Sequence, residues 1–288
     1  MGVAVGTGVK SGSVARRRNA LLLLALVMFA GLVALAALSF EQEGHASGVS
    51  GDRNLTDGVR VHANLEKMVP GDPQLTVRLD FEPRGRYAQD GVFLAQRVRV
   101  VAVGGAGLVD ESFAAGGVMT PSTLPVALEG GDVSQYPFDS YSALFGVRVL
   151  TGDGAPVPSV LIVDGSIHGY TIDIAEPTRE PNGGNDLTIG VSRGSATWIF
   201  AVFIMMLMWT VTGLALLLSV KLIRTGAAID TPLISLLGVL LFAFTAIRNS
   251  MPNAPALGAL ADYLSYFWCE VALGLGLVAL LIFRIRRS

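Results

Sequence analysis

The chain has 288 residues, of which 51% are hydrophobic and 15% charged, with a formal net charge of −2. Soluble domains carry about 25% charged residues; here the deficit is gathered into long apolar runs, which excludes an ordinary water-soluble protein. The charge is also split, with 20 acidic and 11 basic side chains between Glu41 and Arg193 against 3 and 10 in the remainder, so an acidic middle argues against nucleic acid as its partner.

Residues 1–19 are small and polar and read as a cytoplasmic, disordered tail. Gly6, Gly8 and Lys10 lack the spacing and the preceding strand of a phosphate loop. Arg16–Arg18 precede an unbroken apolar run, 20–40. A signal-peptide core is typically about 7–15 residues, so the longer run predicts a retained signal anchor, transmembrane helix 1. A cleaved signal is the alternative, and both readings export the segment C-terminal to the run. Residues 41–56 are rich in Gly and Ser and read as a linker.

From residue 57 the period becomes two. Val59, Val61, Ala63 and Leu65 alternate with polar residues, as do Leu75, Val77, Leu79 and Phe81. Leu94–Val103 continues the pattern, and shorter runs come at Thr123–Leu128, Ala143–Leu150, Val160–Val163, Tyr170–Ala175 and Leu187–Val191. Gly, Pro and Asp clusters punctuate them, including Pro70–Pro73 and Pro181–Gly184. About eight half-buried strands with turns between them predict an immunoglobulin-like β-sandwich over 57–194.

Three further apolar runs predict a transmembrane bundle over 195–288, with helices at 196–220, 231–249 and 262–283. With the N-terminus inside, Lys221, Arg224, Arg284, Arg286 and Arg287 all fall on the cytoplasmic side, and only Arg248 falls outside. The expected object is a mixed β and α membrane protein: an exported sandwich, 41–195 extracytoplasmic, with one helix before it and three after. Both termini are cytoplasmic and the location is the plasma membrane.

Tyr136-Pro137-Phe138-Asp139-Ser140-Tyr141 stands out within the sandwich. Proline fixes the backbone, Asp139 can close a turn, and the aromatics supply buried area. A rigid interstrand corner is one reading. The other is a domain-coupling loop, made of Tyr136, Pro137, Phe138, Asp139 and Tyr141, that faces the helices. The aromatic-Pro-Phe-Asp quartet resembles the loop of pentameric ligand-gated channels that touches a helix–helix connector, although one helix before and three after the sandwich depart from that family.

Arg248, Asn249, Asp262 and Glu270 are the polar residues singled out in or beside the spans. A carboxylate inside the bilayer costs about 2.5–3.5 kcal/mol, so Glu270 is expected to face the bundle, as an Arg248–Glu270 pair, a neutral hydrogen-bonded acid, or a proton or ion site. Asp262 is expected to cap the last helix. Ala272 and Gly276 give it a small-residue packing face.

Enzyme readings find no support. Gly190–Gly194 fits GxSxG, but a nucleophile elbow needs a later histidine, and none comes after His168. His45, His62 and His168 lack zinc-site spacing. No catalytic, cofactor or metal residues are expected.

The whole arrangement resembles a known family. Tyr136–Tyr141, Ile247–Pro252, Ala254–Gly258, Asp262 and Phe267–Glu270 are similar to the corresponding stretches of mycobacterial membrane proteins of domain-of-unknown-function family 4436. The resemblance implies this architecture and an actinobacterial source, and transfers no activity. The expected role is a non-enzymatic interaction or assembly module of the cell envelope, with the lipid bilayer and other envelope membrane proteins as partners. A transport or channel component using Glu270, and a membrane enzyme acting on lipid head groups, are the alternatives.

Overall fold

The alternating segments do become strands. The computed structural model describes residues 31, 34, 46–68, 74–175, 178–179, 184–226 and 231–287. The tail 1–19, linker residues 41–45 and the Pro70–Pro73 turn lie outside the described residues. So does the anchor 20–40, except Gly31 and Ala34, which are helical.

Among the described residues, thirteen strands precede the C-terminal helices: β1 (Ala46–Ser50), β2 (Gly58–Met68), β3 (Gln74–Arg84), β4 (Ala88–Gln89), β5 (Phe93–Leu94), β6 (Val98–Val103), β7 (Leu108–Phe113), β8 (Ser122–Glu129), β9 (Ser140–Thr151), β10 (Ser159–Gly165), β11 (Tyr170–Ile174), β12 (Thr178–Arg179) and β13 (Asn185–Arg193). Where the sequence predicts two facing sheets, the hydrogen bonds trace one path, β1-β10-β2-β3-β8-β9-β13-β11, with β6 and β7 on β9 and β12 on β13. Its halves join in ladder register at Leu128–Ala143 and Glu129–Ser142, and Ala127 N–H also donates to the Gly104 carbonyl at 2.6 Å. The path curls until its ends meet: a Cβ on Gly48 of β1 would lie 2.7 Å from Ile174 Cγ2 of β11. The result is a β-rich domain with a nearly closed sheet.

Inward positions carry the predicted alternation. Val59, Val61 and Ala63 of β2, Val77 and Leu79 of β3, and Phe145 and Val147 of β9 are all essentially buried, each large side chain contributing about 1.5–3 kcal/mol by leaving water. A polar tie crosses this core: Asn185 Nδ2 donates to Ser159 Oγ at 3.0 Å, and Asn185 Oδ1 accepts from Ser50 Oγ at 3.2 Å.

Part of the expected linker is corrected. Ala46–Ser50 forms β1, antiparallel to β10, because its glycine fits the closure against Ile174, where any side chain would collide. β10 in turn runs parallel to β2.

Among the described residues, three helices follow: α1 (Ser195–Thr225), α2 (Thr231–Asn249) and α3 (Phe267–Ile285), the last entered through a π-helical turn, Asp262–Tyr266. All three are long and apolar enough to cross a membrane. At 1.5 Å per residue α1 is about 45 Å long, more than the roughly 30 Å of bilayer hydrocarbon. Gly226, left-handed at φ 65°, ends it. The bundle has its own core, including Met208, Leu237, Phe244, Cys269 and Leu273. Leu214, Leu217, Phe242 and Leu275 point outward. A Cβ on Gly276 would meet Leu216 Cδ2 at 2.7 Å, so α3 and α1 approach closely there.

Candidate functional site at the junction of strands and helices

The strand-rich domain meets the bundle where β13 runs through Gly194 into α1. Alternation along β13 buries Leu187, Ile189 and Val191, and the next position in phase is Arg193, only 6% exposed. A guanidinium cannot be buried there without partners. Three elements supply them.

The first is the turn before β9. Asp132 accepts from Ser134 N–H at 2.8 Å and caps a short 3₁₀ turn, Val133–Gln135. A cis Tyr136–Pro137 peptide comes next. Asp139, 2% exposed, then accepts Arg193 Nε at 2.9 and 3.0 Å and the Tyr141 hydroxyl at 2.7 Å. The second is the α2–α3 connector, where the Asn253 carbonyl accepts Arg193 Nη1 at 2.9 Å. The third is aromatic: the guanidinium carbon lies 5.0 Å from the Tyr136 ring centre and 4.7 Å from that of Tyr170, within cation–π range.

Tyr136 belongs to the bundle's core although it comes from the strand-rich domain. Its hydroxyl donates to the Pro252 carbonyl at 3.0 Å and its own carbonyl accepts from Ala261 N–H at 3.2 Å. Close by, the Gly169 carbonyl accepts from Gly194 N–H at 2.9 Å and from Thr197 Oγ1 at 3.2 Å. Gly169 must be glycine: φ is +82°, and a Cβ would sit 2.3 Å from Asn253 Nδ2.

A second buried pair shapes the connector. Arg248, 5% exposed, is bidentate to Asp262, 1% exposed, with both contacts at 2.7 Å. Its remaining donors go to the carbonyls of Pro255 at 2.9 Å and Ala256 at 3.2 Å. Asp262 also accepts Gly258 N–H at 2.9 Å and Ala259 N–H at 3.1 Å. The connector is wound around this pair.

Burial sets the titration of the tyrosines. Tyr136 is pushed up to about 12 by burial, against an opposing pull from Arg193. Tyr141 is raised by burial and then by its hydrogen bond to Asp139, and Tyr170 is raised by burial. Burial works against the Arg193 charge, but the bond to Asp139 and the nearby tyrosines outweigh it and raise its pKa above the ordinary arginine value.

The structure thus brings Tyr136, Pro137, Asp139 and Tyr141 together at the junction. Phe138, expected to be buried, is 52% exposed instead, since the turn that seats Tyr136 and Asp139 inward points it away. Asn249 ends α2, exposed and outside both pairs. Two expectations are corrected. Arg248 pairs with Asp262 and not with Glu270, which lies eight residues, about 12 Å, further along the helix. Asp262 is not the residue ahead of the helix: helical backbone begins at Leu260, and from the first turn its carboxylate reaches back to Arg248 and to the N–H groups of Gly258 and Ala259. Glu270 Oε1 is buried with no hydrogen-bond partner among the described residues. Gly190–Gly194 is strand up to Arg193, with Ser192 opposite Ser140, so no nucleophile elbow exists there.

Sequence reasoning missed Arg193, Tyr170 and Asn253. The signal for Arg193 was present: a lone charge in phase with Leu187, Ile189 and Val191, directly before an apolar helix.

Residues 49–191 match the family model described as Domain of unknown function (DUF4436), and residues 193–287 match that described as Domain of unknown function (DUF8686). No curated protein matches the chain. The border between the two matches falls where the strand-rich domain hands over to α1.

Proposed function

We propose that this chain, a member of the DUF4436 family, is a multi-pass plasma-membrane protein whose strand-rich domain is exported and serves as a non-enzymatic interaction and assembly module of the cell envelope. The two half-sheets, whose ladders join at β8–β9, act as an immunoglobulin-like sandwich, and the anchor 20–40 supplies a fourth span. The observation that carries this reading is the Asp139–Arg193–Asn253 clamp. It is a long-range polar joint, with Asp139 and Arg193 buried, that fixes the domain on the bundle as one body, as a scaffold for envelope partners requires. Such a module works by presenting a fixed surface to other membrane proteins.

The test is native electrophoresis of gently solubilised source membranes. The reading expects the wild-type chain in a complex larger than its 30.2 kDa monomer. Arg193→Ala should release a smaller species while the helices stay inserted. A wild-type chain that migrates alone in its own membrane contradicts it.

A second reading, a transport or channel component, is favoured by the buried Glu270 Oε1, which has no hydrogen-bond partner among the described residues, since ionisable groups within spans mark ion and proton paths. Proton flux into liposomes that Glu270→Gln removes is the expected result under this reading, and its absence leaves assembly as the role.

A further inference from the structure

The junction leaves Phe138 half out of the fold, and its height on the molecule says what surrounds it. Helix α2 has 19 residues, about 28 Å at 1.5 Å per residue, close to the roughly 30 Å of bilayer hydrocarbon. Its last turn therefore lies at the edge of the hydrocarbon. The Arg248–Asp262 pair holds the start of the last helix at the same level. The Tyr136 carbonyl accepts the Ala261 N–H, one residue before Asp262, which seats Tyr136 at that edge too. Phe138, two residues on, lies at most about 7 Å from Tyr136, and the head-group layer is itself about 5–7 Å deep on each side.

The neighbours at this level are apolar or aromatic and face outward. Leu257 on the connector is 58% exposed, and Tyr263 and Trp268, at the start of the last helix, are exposed as well. Tyrosine and tryptophan gather at membrane–water interfaces. The turn before β9 and the connector flank a crevice of about 240 Å³, with Val133 and Ser134 on one side and Leu257 on the other. That is below the roughly 300 Å³ of sites for discrete small molecules, so it suits part of a lipid chain better than a whole solute. A single phenylalanine exposed to water needs no explanation; one held at this height by Tyr136 does not face bulk water.

We propose that Phe138 and Leu257 pack into the interface of the lipid leaflet on the domain's side, so that the strand-rich domain touches lipid directly and not only through the helices it is joined to. The partner is the glycerol and upper acyl-chain region of the bilayer. The inference rests on the reading of the three helices as spans.

The test uses the full chain in lipid nanodiscs, in a Cys269→Ala background with one spin-labelled cysteine at a time. Collisions with oxygen, which concentrates in lipid, are compared with collisions with a water-soluble nickel chelate. Leu275→Cys, exposed midway along α3, is the lipid reference, and Val92→Cys, exposed in the turn between β4 and β5, is the water reference. Phe138→Cys and Leu257→Cys should both read nearer to Leu275→Cys, with an oxygen-to-nickel ratio several-fold above that of Val92→Cys. A Phe138 label that reads like Val92 overturns the proposal, whatever Leu257 reads. Phe138→Trp decides if the cysteine variant does not fold: lipid brominated high on its chains should quench the added fluorescence, and fluorescence that survives overturns the proposal. A Leu275 label that reads as water overturns the spans and this inference together, which keeps the two failures apart.

Discussion

Two buried arginines lie on the two sides of the connector and do different work. Arg248 is paired to Asp262, fourteen positions away, and its other donors stay within the same connector. Arg193 is paired to Asp139, fifty-four positions away, and also reaches Asn253, sixty positions away. The first pair shapes one loop; the second joins two hydrophobic cores that sequence alone leaves separate. Tyr136 links them, since it hydrogen-bonds the connector at Pro252 and Ala261 and stacks against Arg193. A buried ion pair is a weak source of net stability but a strong constraint on geometry, because an orphaned partner is so costly.

The contrast breaks first at Arg193. Arg193→Ala leaves Asp139 charged and unpaired, and should cost about 3–5 kcal/mol, read as loss of cooperative unfolding between domain and bundle in detergent. Arg248→Lys keeps the charge but loses the planar fork, and should cost about 2 kcal/mol. Its signature is faster amide exchange confined to residues 250–261, with the domain core unchanged. Tyr136→Phe removes one hydrogen bond to the Pro252 carbonyl, worth about 1 kcal/mol, and keeps the ring over Arg193.

The same tyrosine gives the smallest effect, a pH dependence. Its pKa rises from 10.0 to about 12 on folding, so its contribution is complete below pH 10 and is lost as pH rises through about 12. Alkaline unfolding over that window should be shallower in Tyr136→Phe than in wild type. It should not vanish, because Tyr141 and Tyr170 are shifted the same way.

Much of the fold was legible because burial imposes a period. Val59, Val61, Ala63 and Leu65 alternate because one face of β2 is core, and the long apolar runs could only be helices. Short, polar strands escaped. β1 reads as a Gly/Ser tether because its partner selects for small residues, and β7 hides behind Asp110, which Arg99 of β6 holds with contacts of 2.7 and 2.6 Å. The parallel β2–β10 pairing leaves no trace in periodicity. At the junction, proline and aromatics marked Tyr136–Tyr141, yet their partners lie far off in sequence. Of the alternatives for Glu270, the pair with Arg248 does not form, because a guanidinium takes the nearer carboxylate, and Asp262 sits at its level in the bundle.

The central claim is that the clamp at Arg193 fixes the strand-rich domain on the helices. Spin labels at Ser142→Cys on β9 and Lys221→Cys near the end of α1, in a Cys269→Ala background, measure this directly by pulsed electron resonance in nanodiscs. The account predicts one narrow distance distribution that broadens when Arg193→Gln is added. A broad distribution in the parent chain, or a narrow one that survives Arg193→Gln unchanged, would contradict it.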